Sequence, residues 1–203
     1  SEMCIRDREI TISDKSEACD FIKDSCKECN RKYECTGENV AFCNHMKNIL
    51  VAKYGAAEGC LKESRIRHSM GVANFLFAYA KSHDWSKEET EDLYLTGLLH
   101  DIGYIDNPKG TDHGRLGAEI LKRNGLNAEI CELISCHGRF IENPSRKQAL
   151  LWLADLCVNR DGDYIGYQKR YESIKERYKN DPERLFQVYR ILEYLQIHFS
   201  EYR

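Results

Sequence analysis

Six side chains in this sequence have the types and setting to do chemistry together: His68, His100, Asp101, His113, His137 and Asp155. Imidazole nitrogens mixed with carboxylate oxygens suit iron, manganese or similar first-row divalent ions, and none of the six positions is a cysteine that would make the site thiolate-rich. Two cations roughly 3.5 to 4 Å apart in such a set would lower the pKa of a bridging water, aim the hydroxide at phosphorus and neutralise charge on phosphate oxygens. The chemistry expected of these residues is therefore hydrolysis of a phosphoester or phosphoanhydride bond, with His100 and Asp101 at its centre.

Context supports the choice. His-Asp dipeptides occur twice, but His83-Asp84 lies in the polar stretch KSHDW and reads as solvated surface, whereas His100-Asp101 ends the apolar run LTGLLHDIG. Charge there is costly unless it is ligated or paired. Adjacent residues on a helix project roughly 100° apart, so His100 and Asp101 reach one ion only if it sits between helices that supply further ligands. A lone histidine on an apolar face is more often a hydrogen-bonded core residue than a ligand. Four histidines and two aspartates so placed turn the balance toward a metal site.

The elements that must position them are helices. From about residue 45 onward the chain reads as successive amphipathic helices with short polar breaks, and nothing alternates with the period of a half-buried strand. The fold class expected is all-α. Val72, Ala73, Leu76, Tyr79 and Ala80 fall on one face after His68, and Ser86 with Glu89 forms a capping box for a helix through Leu93, Leu95, Leu98 and Leu99. That helix is apolar nearly all round just before His100, as a helix in the centre of a bundle would be. Asp112 is a candidate cap for a helix ending near Gly125, Asn127 for one running to His137, and Pro144-Ser145 introduces one carrying Asp155. Asp181-Pro182 opens a terminal helix with Leu185, Val188, Ile191, Leu192 and Leu195 inward.

The order H…HD…H…H…D, with HSMGVANF at the first histidine and LLHDIG at the second, resembles the HD-domain phosphohydrolase superfamily over about residues 60 to 160. The resemblance implies a helical bundle whose first-site ligands are His68, His100, Asp101 and Asp155, with Asp101 bridging to a second metal held by His113 and His137. Within the superfamily, the helix order and these two segments are similar to the small bacterial type that hydrolyses dinucleoside polyphosphates. His137 is followed by Gly138 and no GYP segment appears, which separates the chain from cyclic-dinucleotide phosphodiesterases of the HD-GYP kind. Lys109 and Arg115, which flank His113, and Arg139, two residues beyond His137, are candidates for gripping phosphate. The competing reading is that such cations are merely solvated.

Seven of the ten cysteines lie in the first 60 residues. Cys26, Cys29, Cys35 and Cys43 form C-x2-C-x5-C-x7-C within the polar sequence KECNRKYECTGEN, which offers little core of its own. Four thiolates so spaced close a zinc site or hold an iron–sulfur cluster, and spacing alone leaves both open beside the plainer reading of reduced thiols. The later Cys131, Cys136 and Cys157 sit singly in apolar stretches and are read as structural. The expected organisation is a non-native or disordered start over 1–8, a cysteine-rich metal-binding segment over 9–46 and an HD-type helical domain over 47–203.

Composition excludes some partners. The formal net charge is −3 with basic and acidic residues interspersed, so no basic stripe marks a nucleic-acid groove or an anionic membrane surface. No run approaches the roughly 20 apolar residues of a membrane span, and no basic start with an apolar stretch marks an export signal, so a cytoplasmic address is expected. The partner expected is a small phosphorylated compound or nucleotide. A rival is a non-catalytic module that binds a nucleotide in the same pocket while the cysteine segment regulates or recruits; six filled ligand positions favour the enzyme. Tyr164, Tyr167 and Tyr171 read equally as interface or core, and oligomeric state stays open.

Overall fold

Helix caps set the frame of this protein, seen in a computed structural model that describes residues 63–105, 110, 112–123 and 125–203. Lys109, the start over 1–8 and the segment with Cys26, Cys29, Cys35 and Cys43 lie outside the described residues. Among the described residues seven α-helices follow one another: α1 (Glu63–Ser82), α2 (Lys87–Leu99), α3 (His113–Arg123), α4 (Ala128–Cys136), α5 (Arg146–Cys157), α6 (Tyr167–Arg177) and α7 (Pro182–His198). Short 3-10 turns span Ile102–Ile105 and Ser200–Tyr202. Among the described residues no strand forms beyond an isolated bridge between Val158 and Tyr164. None of these helices is long and apolar enough to cross a membrane.

Apart from Asp112, the expected caps are in place. Ser86 and Glu89 complete a capping box at α2, and Asn127, Ser145 and Asp181 each accept a backbone N–H at the starts of α4, α5 and α7. Asp112 gives its carbonyl to Leu116 N–H, but its carboxylate takes the Arg115 guanidinium instead of capping α3. At the other end of α3, Gly125 has φ +78° and bonds Lys122 while Leu126 N–H reaches Leu121, closing the helix in a Schellman arrangement.

α1 packs chiefly on α2, and α3 on α4, while α5 touches α1, α2, α4, α6 and α7. Every residue from Gln148 to Ala154 is buried, so α5 is the central helix. The second half of α2 is buried too except for the half-covered Leu95, but Glu88 and Asp92 keep its first half nearer the surface. In α7, Ile191, Leu192 and Leu195 are buried, whereas Leu185 and Val188 are only half-covered. α6 had no forecast in the sequence. Its stretch YQKRYESIKER buries only Tyr167, Arg170 and Ile174, and its N-cap is Gly166, which offers no side-chain hydrogen bond. Both the apolar period and the start signal are missing.

Close approach of backbones brings the elements of the site together. A Cβ at Gly103 would lie 1.8 Å from the His113 carbonyl oxygen and 2.5 Å from Gly117 N, and one at Gly114 would lie 2.9 Å from Ile134 O. Only glycine allows the turn after Asp101 to meet α3, and α3 to meet the end of α4, this closely. Replacing Gly103 with Ala is expected to cost about 3 kcal/mol in urea unfolding, as overpacking against rigid backbone does. A cost below about 1 kcal/mol would mean that these segments do not need the contact.

Candidate metal centre

The six residues picked out by type and spacing converge from the ends of helices. His68 lies in the second turn of α1, His100 is the C-cap of α2 with Asp101 next to it, and His113 is the first residue of α3. His137 is the C-cap of α4, and Asp155 stands in the last turn of α5. Asp155 is half-exposed, and the other five are buried.

Two groups share Asp101. On one side, His68 Nε2 lies 2.9 Å from Asp155 Oδ1 and 4.0 Å from Asp101 Oδ2, and His100 Nε2 lies 3.5 Å from Asp101 Oδ2 and 3.9 Å from Asp155 Oδ1. On the other, His113 Nε2 is 3.4 Å and His137 Nε2 3.7 Å from Asp101 Oδ1, and the two nitrogens are 2.8 Å apart. The carboxylate of Asp101 therefore turns a different oxygen to each histidine pair. Atoms about 2.1 Å from a common ion sit roughly 3 to 3.5 Å from their neighbours, which these separations approach.

Tautomers strengthen the case. Nδ1 faces a main-chain carbonyl in all four rings: His68 to Asn159 at 3.0 Å, His100 to Gly97 at 2.7 Å, His113 to Gly110 at 2.9 Å and His137 to Ile134 at 2.6 Å. A carbonyl only accepts, so each Nδ1 carries the proton, and a neutral ring then turns a bare Nε2 inward. His100 Nε2 is buried with no hydrogen-bond partner at all. His113 and His137 bring two such lone pairs into contact, which needs a proton or a cation between them. The residues fit a bound cation, and the His/Asp cluster is able to hold a metal.

Charge follows the same plan. Burial holds His100 down to about 4 and, with His137 next to it, His113 down to about 3. Burial opposes charge on His137 as well, but the Asp101 carboxylate outweighs it and raises that ring above the ordinary value. Against the effect of burial, His100 and Arg65 keep Asp101 well below the usual carboxylate range, and the nearness of the His68 and His100 rings does the same for Asp155. Arg65 Nη1 donates to Asp101 Oδ2 at 2.7 Å, and its guanidinium lies 3.8 Å from the centre of the Tyr104 ring, which in turn stacks on His113.

The cluster opens on a cavity of about 360 Å³. Arg115 and Arg139 line it, but both are exposed: Arg115 is held by Asp112 and Glu119, and Arg139 reaches only the Ser135 carbonyl at 3.5 Å. The cations held deepest were not read from the sequence. Arg65 stands one helical turn before His68, so its position was available as a clue. Arg170 lies on α6, which carried no helix signal, and nothing pointed to it. Cys131 and Cys157 are buried free thiols, as their apolar surroundings suggest, whereas Cys136 is only half-buried.

Two outcomes are expected of the isolated centre. Manganese at about 100 times its Kd should add about 2.7 kcal/mol to the unfolding free energy of the chain and nothing to that of Asp101→Ala. Equal stabilisation of both would remove Asp101 from the ligand set. In chelator, the unfolded chain takes up protons on His100 and His113 near pH 6.5, whereas the folded chain holds them off until about 4 and about 3. The stability these rings contribute is present above pH 6.5 and lost as pH falls toward 4; His137, displaced upward, acts in the opposite sense. Urea titrations should show the decline, and a flat profile over that window would contradict it.

Comparison with known proteins places this geometry. A family model described as HD domain matches residues 65–188, more than half of the chain. Over 92 residues the chain is 35% identical to Ribonuclease Y of Fervidobacterium nodosum, covering 41% of this chain and 18% of that protein. Over 77 residues it is 31% identical to an uncharacterized protein of Methanocaldococcus jannaschii, covering 37% of this chain and 45% of that one. The matched stretch thus spans less than half the length of either relative. No solved structure matches. With the family match extending from the turn before His68 into α7, this chain belongs to the HD domain family.

Proposed function

We propose that the chain hydrolyses a phosphoester or phosphoanhydride bond in a nucleotide or another small phosphorylated compound, using iron, manganese or a similar divalent ion. One observation carries the reading: four Nδ1–H groups end on main-chain carbonyls, so that four Nε2 atoms turn toward two carboxylates at the floor of one cavity. HD domains are in general metal-dependent phosphohydrolases, and the relative named a ribonuclease is compatible with phosphoester chemistry. Bound cations would supply Lewis-acid activation of water and neutralisation of phosphate charge.

The chain's own residues have separable roles in this scheme. His68, His100, Asp101 and Asp155 would hold one cation, and His113 and His137 with Asp101 would hold a second. The carbonyls of Asn159, Gly97, Gly110 and Ile134 keep each ring from rotating and fix the tautomer. Arg65 steadies Asp101 through a 2.7 Å ion pair and lies at the cavity wall, where it can also face substrate oxygens. Tyr104, stacked on His113 at 4.1 Å, shields that ring from water.

Phosphate release from a panel of nucleotides and simple phosphate esters, with manganese or iron, tests the reading. Asp101→Ala should lower kcat/KM by about a thousandfold, the loss expected when several kcal/mol of charge stabilisation disappears. Turnover unchanged by the substitution would overturn the mechanism. Nucleotide binding without turnover by the unaltered chain would instead identify a non-catalytic module.

A further inference from the structure

We infer that the cavity holds a second phosphoryl subsite centred on Arg170, so that the substrate carries at least two linked phosphoryl groups, one at the His/Asp cluster and the next on this arginine. The inference rests on the hydrolytic reading above and narrows it to the diphosphate class.

Arg170 is 4% exposed and lines the cavity, and its Nε has no hydrogen-bond partner. An arginine buried for structural reasons places its five donors on carbonyls or carboxylates. No carboxylate lies within ion-pair distance of Arg170, Arg177 or Arg184 among the described residues, although all three line the same cavity. The acids nearby are committed elsewhere or sit at the edge. Asp181 caps α7 through Arg184 N–H, Asp112 holds Arg115, and Glu183 is exposed at the rim.

The charges that act on Arg170 are of both signs: Asp155 and Asp101 attract it, while Arg177 and Arg65 repel it. Once the two aspartates share their charge with cations, Arg170 keeps no counter-ion of its own, and an incoming anion has to supply it. Burial lowers its guanidinium from the ordinary value, as expected of a cation awaiting a partner. Arg184 is held in place by Tyr104 Oη and Gly110 O, both at 3.2 Å, and lies 4.1 Å above the Tyr178 ring. Arg177 also lines the cavity, with its guanidinium 5.7 Å from the centre of the same ring.

The planar fork of arginine matches the oxygens of a phosphoryl group in pairs, which a single point charge does not. A lone phosphate that reaches the His/Asp cluster satisfies the metal side alone. A cavity of about 360 Å³ has room for more, since pockets of this order hold small-molecule ligands. Two linked phosphoryl groups satisfy the cluster and Arg170 at once.

Calorimetry on the full manganese-loaded chain, with imidodiphosphate and inorganic phosphate as probes, tests the subsite. Arg170→Gln should weaken imidodiphosphate by about ten- to a hundredfold while phosphate changes less than about twofold. Arg177→Gln, at a half-exposed position, should show the same preference more weakly and serves where Arg170→Gln does not fold. Turnover should follow, with kcat/KM for a nucleoside diphosphate falling in Arg170→Gln while that for p-nitrophenyl phosphate is retained. Equal losses for both probes in the two variants, or no loss for either, would overturn the inference. If neither ester is hydrolysed but imidodiphosphate binding still depends on Arg170, the hydrolytic reading fails and the anion subsite stands.

Discussion

The orientation of four imidazoles is the constraint on which everything else in this protein depends. Each Nδ1–H must end on a main-chain carbonyl for the opposite nitrogen to face inward with a free lone pair. Helix ends make those carbonyls available, because the last turn of a helix leaves its C=O groups without intrahelical partners. His100 and His137 are C-caps and take the carbonyls of Gly97 and Ile134, three residues earlier in each case. His113 does the same with Gly110 just before α3. One local device is thus used three times, and the negative ends of α2 and α4 point their partial charge at the cluster, as suits a cation.

Packing then has to bring these ends within a few ångströms of each other, and backbone contact achieves it. Gly103 and Gly114 remove the side chains that would separate the turn after Asp101, the start of α3 and the end of α4. The charged groups follow from that proximity. Asp101 is almost wholly enclosed, yet it stays ionised because histidines and Arg65 surround it. Arg65 is the part of this balance that links the ligands to the cavity wall, since the same guanidinium touches Asp101 and covers Tyr104.

Much of this was legible in the residues. Caps at Ser86, Asn127, Ser145 and Asp181 have short-range causes, and the apolar runs before His100 and around Asp155 identify buried helix ends. The cluster of six could be assembled on that basis, because each ligand lies beside a readable helix terminus. Arg170 could not, because α6 has a polar sequence and starts at a glycine whose φ of +81° carries no side-chain cap. For Arg115 and Arg139, proximity in sequence to His113 and His137 puts them beside the cavity but says nothing about which way a long side chain turns. The local acids Asp112 and Glu119 decide that for Arg115.

His68 differs from the other three rings. Its carbonyl partner, on Asn159, is 91 residues away, in a loop organised by the Asn159 side chain, whose oxygen accepts the N–H groups of Asp161 and Asp163. Three rings are oriented inside spans of four residues, at almost no loop-closure cost, while the fourth is oriented only when most of the domain has closed. Assembly of the centre is therefore graded by sequence separation. Three histidines are aimed by their own local backbone, and the side shared by His68 and Asp155 is completed by the longest-range contact of the set.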